Sequence, residues 1–345
     1  MSFFDSAEWI YTWNASQLIV YFSALALTLR FALKRADVQT NVDKALMFIA
    51  ALGAFLCWSL IVQFVIDDVT QLQAAGATQL EVVKSKRFVK CYTAVVDSEA
   101  KWFFSQQLLF SVVVLVAYLL VQSVRTRVDG VWRYVVLGEL MAISVAAPLA
   151  LIHLRSRPQI ASTPYISGLT ILAFILALLS TFATPLLAPN ASLFKFNLFL
   201  LHLVLVLPFL RLFGFGAQAP PESDERHRRA RVAVLYALIA GAAIVAHASA
   251  ALSVWRANDG DLVATVGALV EALFLHPCQT SISIDAGLVW LLMMGSCLLA
   301  ETESFAVNLA TLVAAQFLGG AGTAALFLAI RELQPPPLAQ HARAD

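Results

Sequence analysis

Leu262-Val-Ala-Thr-Val-Gly-Ala-Leu-Val-Glu-Ala-Leu-Phe-Leu-His-Pro-Cys-Gln-Thr-Ser-Ile-Ser-Ile-Asp285 is the stretch on which the architecture turns. Leu262 to His276 is largely apolar with Glu271 inside. A bilayer crossing takes about 20 apolar residues, at the least roughly 17, so this run is short. Asn258-Asp259-Gly260 before it is strong turn chemistry, and Pro277 closes it. Read as one arm of a helical hairpin, the run adds a crossing and the chain has ten spans. Read as a re-entrant or interfacial helix, it leaves nine. His276 to Asp285 then packs an imidazole, a helix breaker, a thiol, an amide, three hydroxyls and a carboxyl group against an apolar helix. An ionisable group kept at the mouth of a membrane helix is expensive and marks function by default.

Outward from this stretch the sequence is mostly hydrocarbon. The chain has 345 residues, 60% hydrophobic and 13% charged, where soluble domains carry roughly 25% charged residues. The apolar residues come in long uninterrupted runs without period-2 alternation, which excludes a closed β-barrel. The expected fold is all-α, a polytopic transmembrane helical bundle of nine or ten spans. The spans fall near 15–33, 44–66, 102–124, 132–154, 165–187, 196–213, 231–255, 282–300 and 305–330. Residues 1–330 form a single transmembrane domain interrupted by polar loops at 67–101 and 214–230. The tail 331–345, with Pro335-Pro336-Pro337, is expected to be disordered.

Trp9, Tyr11, Trp13 and Tyr21 crowd the first boundary as an interfacial aromatic belt. The start lacks the basic region and cleavage site of a secretory signal, so the first span reads as a permanent anchor. A net charge of +1 gives no reason to expect nucleic acid or an acidic partner. Lys84, Lys86, Arg87 and Lys90 either rest on anionic headgroups of membrane lipids or belong to a solvated loop. Cys57, Cys91, Cys278 and Cys297 show no CxxC spacing. Cys91 and Cys278 lie in loops that could meet. With ten spans, Lys and Arg are more numerous on the N-terminal side, which places the N-terminus in the cytosol. Asn190-Ala-Ser192 then faces the lumen as a glycosylation acceptor.

Several polar groups lie at membrane depth. Glu139 must face the bundle interior, neutral or paired. His202 and His247 read as hydrogen-bonded packing residues, and His153 sits near a span end. Trp102, Ser105, Gln106 and Leu109 share one helical face at i, i+3, i+4, i+7, which Glu99 continues one turn earlier. Ser281 and Asp285 are one turn apart. A hydroxyl capping a helix that starts near 282, with an early acid suited to its dipole, is the plain reading of that pair. His276 and Gln279 add groups that a cap does not need.

Some chemistries lack their residues. No span carries an interior lysine for a retinal Schiff base. The histidines show no HxxxH or HExxH spacing for a metal, and neither a Walker A nor a GxSxG motif is present. Asp67-Asp68-Val-Thr-Gln71 lacks the later acid of a diphosphate-binding motif, and Asp259-Gly-Asp261 falls short of DxDD.

The Trp102–Leu109 block after Asp97 and Glu99, together with His276–Asp285, resembles the membrane-bound terpene cyclases of fungal meroterpenoid pathways, specifically the ascofuranone type. Thr280-Ser281 stands where that family's His-Pro-x-x-Ser-Ser run has two serines, and the two blocks cover under a tenth of the chain. The resemblance implies cyclisation of an epoxidised prenyl chain on a lipid-soluble substrate, without metal or other cofactor, in the endoplasmic reticulum membrane. A carboxylic acid would protonate the epoxide, since an acid buried in a dry pocket stays protonated near neutral pH. Aromatic faces would stabilise the cations, and exclusion of water would prevent premature capture. Asp285 and Glu99 are the expected acid pair, with Asp97 as substitute for Glu99 and Glu139 next. Gln106 would orient the oxygen and Trp102 would face a cation, with His276, Gln279 and Ser281 contacting substrate. The competing readings are a proton-coupled transporter or channel through Glu139, His202 and His247, and a noncatalytic lipid-binding protein. A cyclase requires Asp285 and Glu99 or Asp97 around one closed apolar pocket.

Overall fold

Long apolar runs bounded by capping residues become long helices. The computed structural model describes residues 7–85, 87–158, 163–210, 224–298 and 319–333. Its helices are α1 (Ala7–Arg35), α2 (Asn41–Ala74), α3 (Gln79–Lys84), α4 (Arg87–Ala94), α5 (Glu99–Thr126), α6 (Trp132–Leu140), α7 (Ile143–Arg155), α8 (Gly168–Leu187), α9 (Ala191–Val206), α10 (Glu225–Ala257), α11 (Leu262–Phe274), α12 (Pro277–Leu298) and α13 (Gly322–Leu333). Starts are set locally. The side chains of Thr40, Ser98, Ser167 and Asn190 accept backbone N–H groups of the helices that follow them, satisfying donors that have no intrahelical partner.

The packing is that of a protein whose solvent is lipid. Phe48, Phe55, Leu179, Leu186, Phe196 and Phe199 point outward, while Ser144, Thr181, Asn197 and Gln279 are buried. Between α8 and α9 the Asn197 amide donates to the Ser180 carbonyl at 3.0 Å and to Thr184 Oγ1 at 3.1 Å, the polar link expected where helices meet without a hydrophobic driving force. Five of the described helices are long and apolar enough to cross a membrane, namely α2, α5, α8, α9 with its terminal turn, and α10. The pair α11 and α12, bent by 101°, brings the number to six if it is counted as one span. Nine or ten crossings are not seen among the described residues. Residues 301–318, which hold Glu301, Glu303 and most of the expected last span, lie outside them, as do residues 211–223 and the tail from 334.

The run at 132–154 overturns the expectation of a single span. Tyr134 Oη and His153 Nδ1 are 3.0 Å apart, whereas one straight helix would separate those residues by about 28 Å. The chain breaks at Met141–Ala142, and α7 folds back on α6 as a hairpin. Gly138 permits the close approach, because a Cβ there would lie 2.5 Å from Ile143 Cδ1. The hairpin enters and leaves at the end of the bundle where α1 stops and α2 starts. There Phe31 packs on Tyr134 and His153, and Arg155 reaches Asp43 at 3.4 Å. Arg125 at the end of α5 pairs with Glu332 of α13 at 2.7 Å at the same end. Lys34, Arg35, Lys44, Arg127, Arg155 and Arg157 gather here, and it is called the basic end below.

At the opposite end, α11 is neither half of a straight hairpin nor a detached surface helix. It lies across the bundle and turns into α12, and Thr280 Oγ1 donates to the Leu273 carbonyl at 2.8 Å to brace the bend. Leu262, Val266, Val270 and Phe274, four residues apart, form an exposed apolar stripe. Helix α12 starts at Pro277 rather than near 282, with proline at the first helical position where its missing N–H costs nothing. Ser281 and Asp285 are therefore helix-interior residues, and the reading of them as a cap and first-turn acid of their own helix is corrected.

Candidate functional site

The tip of the α6–α7 hairpin lies deep in the bundle, where its broken backbone needs partners that lipid cannot supply. Three residues distant in sequence provide them. The Tyr21 hydroxyl donates to the Leu140 carbonyl, and Trp58 Nε1 donates to the Met141 carbonyl at 3.2 Å. Asp285 accepts the Ser144 N–H at 2.7 Å on Oδ1 and the Ile143 N–H at 3.2 Å on Oδ2. Ala142, the residue in the capping position of α7, has no side chain that could do this. The carboxyl group of α12 thus serves as the N-cap of α7 and sits at the positive end of that helix dipole.

Beside the tip is a cavity of about 370 Å³, within the usual range for small-molecule sites. Aliphatic and aromatic side chains, among them Trp58, Phe64, Tyr92 and Phe194, make most of its wall. Its ionisable groups are Asp285, Glu139, His202, Tyr21, Tyr92 and the thiols of Cys57, Cys91 and Cys278. The three cysteines are unbonded; Cys91 and Cys278 lie in helices α4 and α12 rather than in loops, and they pack together without a disulfide. Glu139 Oε2 is 3.3 Å from His202 Nε2. Glu139 Oε1 and His202 Nδ1 are buried and have no hydrogen-bond partner among the described residues. Such orphans call for a ligand, a water or a function.

Most polar groups of His276–Asp285 are spent on structure. His276 Nδ1 accepts the Cys278 N–H at 3.2 Å, and its ring packs on Phe64 at 5.4 Å between centroids. Ser281 Oγ donates to the Cys57 carbonyl at 3.2 Å while Cys57 Sγ donates to the Ser281 carbonyl at 3.6 Å, which locks α12 to α2. Gln279 is fully buried and donates to Ser283 Oγ at 3.2 Å. Of the segment's residues, Cys278, Ser281, Ile282 and Asp285 border the cavity, and His276 and Gln279 do not.

The second expected acid is elsewhere. Asp97 and Glu99 line a separate cleft of about 670 Å³ at the end opposite the basic one, shared with Trp102, Asn258 and Glu271. Asp97 is paired with Lys101 at 2.7 Å and half exposed. Glu99 opens α5 in an exposed position, where an acid suits the helix dipole. The expected grouping of Asp285 with Glu99 or Asp97 around one pocket is corrected: the carboxyl that shares the Asp285 cavity is Glu139. The face Trp102–Leu109 is divided as well. Ser105 and Leu109 border the inner cavity and Trp102 the outer cleft, while the Gln106 amide turns back to the Phe103 carbonyl at 3.1 Å. Tyr21 and Trp58 border the cavity although the sequence reading places the first in the aromatic belt and passes over the second, and His202, read there as packing or as part of a transporter path, borders it too. For His202 the signal was present: a polar ring deep in an apolar run, as at Glu139.

Residues 46–157, from α2 through the hairpin, match the profile of a family described as protein of unknown function DUF2834. No curated protein and no solved structure matches the chain.

Proposed function

We propose that this chain is a membrane-embedded enzyme that cyclises an epoxidised prenyl chain on a lipid-soluble substrate by acid initiation, without a metal. The reading extends the resemblance to the ascofuranone-type cyclases and carries with it a location in the endoplasmic reticulum membrane. The observation that supports it is the cavity in which the Glu139–His202 pair and Asp285 face otherwise apolar and aromatic walls. Glu139 is the acid: Oε1 has no hydrogen-bond partner among the described residues, and the chemistry needs a free O–H aimed at the substrate oxygen. The proton moves to the epoxide oxygen as the C–O bond breaks. The alkenes of the prenyl chain then close on the carbon cation, with Trp58 and Tyr92 rings stabilising the positive charge. Loss of one proton from the last cation makes the product an isomer of the substrate. Asp285, occupied at both oxygens, holds the hairpin tip that presents Glu139.

The test is conversion of epoxyfarnesyl-bearing phenols by microsomes containing the protein, with product mass as readout. An isomer of unchanged mass is expected, and Glu139→Gln is expected to lower turnover by about 100-fold or more. Undiminished turnover in that variant removes Glu139 from the mechanism. A second reading, a proton-coupled transporter, is favoured by the re-entrant hairpin and a carboxyl group at membrane depth. Proton flux into proteoliposomes that Glu139→Gln abolishes, with no isomer formed, would select it.

A further inference from the structure

A cyclisation that starts by giving away a proton must recover one, and Glu139 alone does not account for the recovery. Its partner is on another element. Glu139 lies in the last turn of α6, at the hairpin tip, and His202 lies near the end of α9, with Nε2 and Oε2 3.3 Å apart. Both side chains border the cavity. Their remaining polar atoms, Glu139 Oε1 and His202 Nδ1, are both buried with no hydrogen-bond partner among the described residues. A neutral imidazole carries one N–H and one lone pair, and the contact made by one nitrogen decides the role of the other. With Nε2–H donated to Glu139, Nδ1 is left as a bare acceptor.

We infer that His202 is the base that ends the reaction and reloads the acid. This rests on the cyclase reading. Glu139 gives the Oε1 proton to the epoxide oxygen, and the C–O electron pair goes to that oxygen. When the last ring has closed, a C–H next to the cation gives its proton to His202 Nδ1, and its electron pair forms the product alkene. The imidazolium then passes the Nε2 proton to Glu139 Oε2. The pair again carries two protons, now on Glu139 Oε2 and His202 Nδ1; rotation of the carboxyl group and exchange of the imidazole proton with water restore the starting arrangement before the next turnover, and no external base takes part in the reaction. The sequence also explains why an acid and an imidazole are kept in contact in a hydrocarbon interior, where either alone is costly.

The experiment uses the full chain in microsomes with the epoxyfarnesyl phenols, comparing wild type, His202→Ala and His202→Gln. Glutamine keeps an amide donor for Glu139 Oε2 but has no basic nitrogen, so it preserves the α6–α9 link without the base. Both variants are expected to lose about 100-fold or more in kcat with little change in KM, and added imidazole is expected to restore turnover in His202→Ala, rising with the neutral fraction of imidazole as pH is raised. Melting temperatures in detergent identify a variant that has failed to fold, and His202→Gln then carries the test. Turnover of His202→Gln within threefold of wild type shows that the histidine is only a link and overturns the inference, as does a His202→Ala that imidazole leaves slow. In both of those outcomes wild type still makes isomer and the cyclase reading stands. Folded wild type that makes no isomer overturns the cyclase reading, and this inference with it.

Discussion

At the scale of single residues, the two cavity carboxyl groups are told apart by what their oxygens touch. Asp285 receives a backbone N–H on each oxygen, 2.7 Å from Ser144 and 3.2 Å from Ile143, and stands in for the side chain that Ala142 lacks. Replacement by asparagine leaves one acceptor and points an NH₂ group at an N–H. Asp285→Asn should therefore cost about 1–3 kcal/mol, the penalty for stranding a buried donor. A lower melting temperature in detergent should accompany the loss of turnover. Glu139→Gln should lose turnover and keep the wild-type melting temperature, since no backbone group among the described residues is hydrogen-bonded to Glu139. An Asp285→Asn protein as stable as wild type removes the capping role. Of the site, Glu139 and Asp285 were legible in the sequence because charge at membrane depth is conspicuous. Tyr21 was not, because an aromatic residue near a span end reads equally well as an interfacial anchor, and Trp58 was not, because an uncharged ring in the middle of a span carries no signal of its own. Asp97 and Glu99 were drawn in by helical periodicity, which continues a face past the point where the helix leaves the bundle.

At the scale of elements, the hairpin is the part that hydropathy could not reveal. Residues 132–154 are equally apolar whether they cross or turn back, and the break at Met141–Ala142 has no glycine or proline of its own. What stabilises the break lies on α1, α2 and α12, so the information is tertiary. The long helices, by contrast, were legible in place because apolar runs with capping residues are local signals, although α2 runs on to Ala74 into the expected polar loop and α10 starts early at Glu225. The hairpin tip seats against α2 at Gly53, where a Cβ would run into the Ser144 side chain. Gly53→Ala should lift the tip and cost about 1–3 kcal/mol by overpacking, with turnover falling as Glu139 is displaced. Ser144→Gly should recover part of both losses in the double variant. Gly241→Ala, on α10 with nothing within 4 Å of the new Cβ, is the matched control and should leave melting temperature and turnover alone. Additive effects of the Gly53 and Ser144 changes in a double-mutant cycle would mean that the two residues do not meet.

At the scale of the whole molecule, turning one expected crossing into a hairpin changes which loops share a side. Helices α5 and α12 still start at the same end, as ten crossings required, but Asn190 now joins the end at which α1 begins. The cytosolic N-terminus and lumenal Asn190 expected from ten spans therefore cannot both hold. Lys34, Arg35, Lys44, Arg127, Arg155 and Arg157 collect at the other end, so the positive-inside rule favours a cytosolic basic end. On that rule Asn190 and the N-terminus would both lie on the side away from the cytosol. Asp129 and Ser156, exposed on either side of the hairpin, make the difference measurable. Cysteines placed at 129 and 156 should both react with a membrane-impermeant maleimide in sealed microsomes, above the background of the wild-type cysteines. A straight crossing at 132–154 puts one of them in the lumen, where it reacts only after detergent is added. Reaction of both only after detergent would keep the hairpin and reverse the orientation, because the fold decides whether the two positions share a side and the arginines decide which side it is.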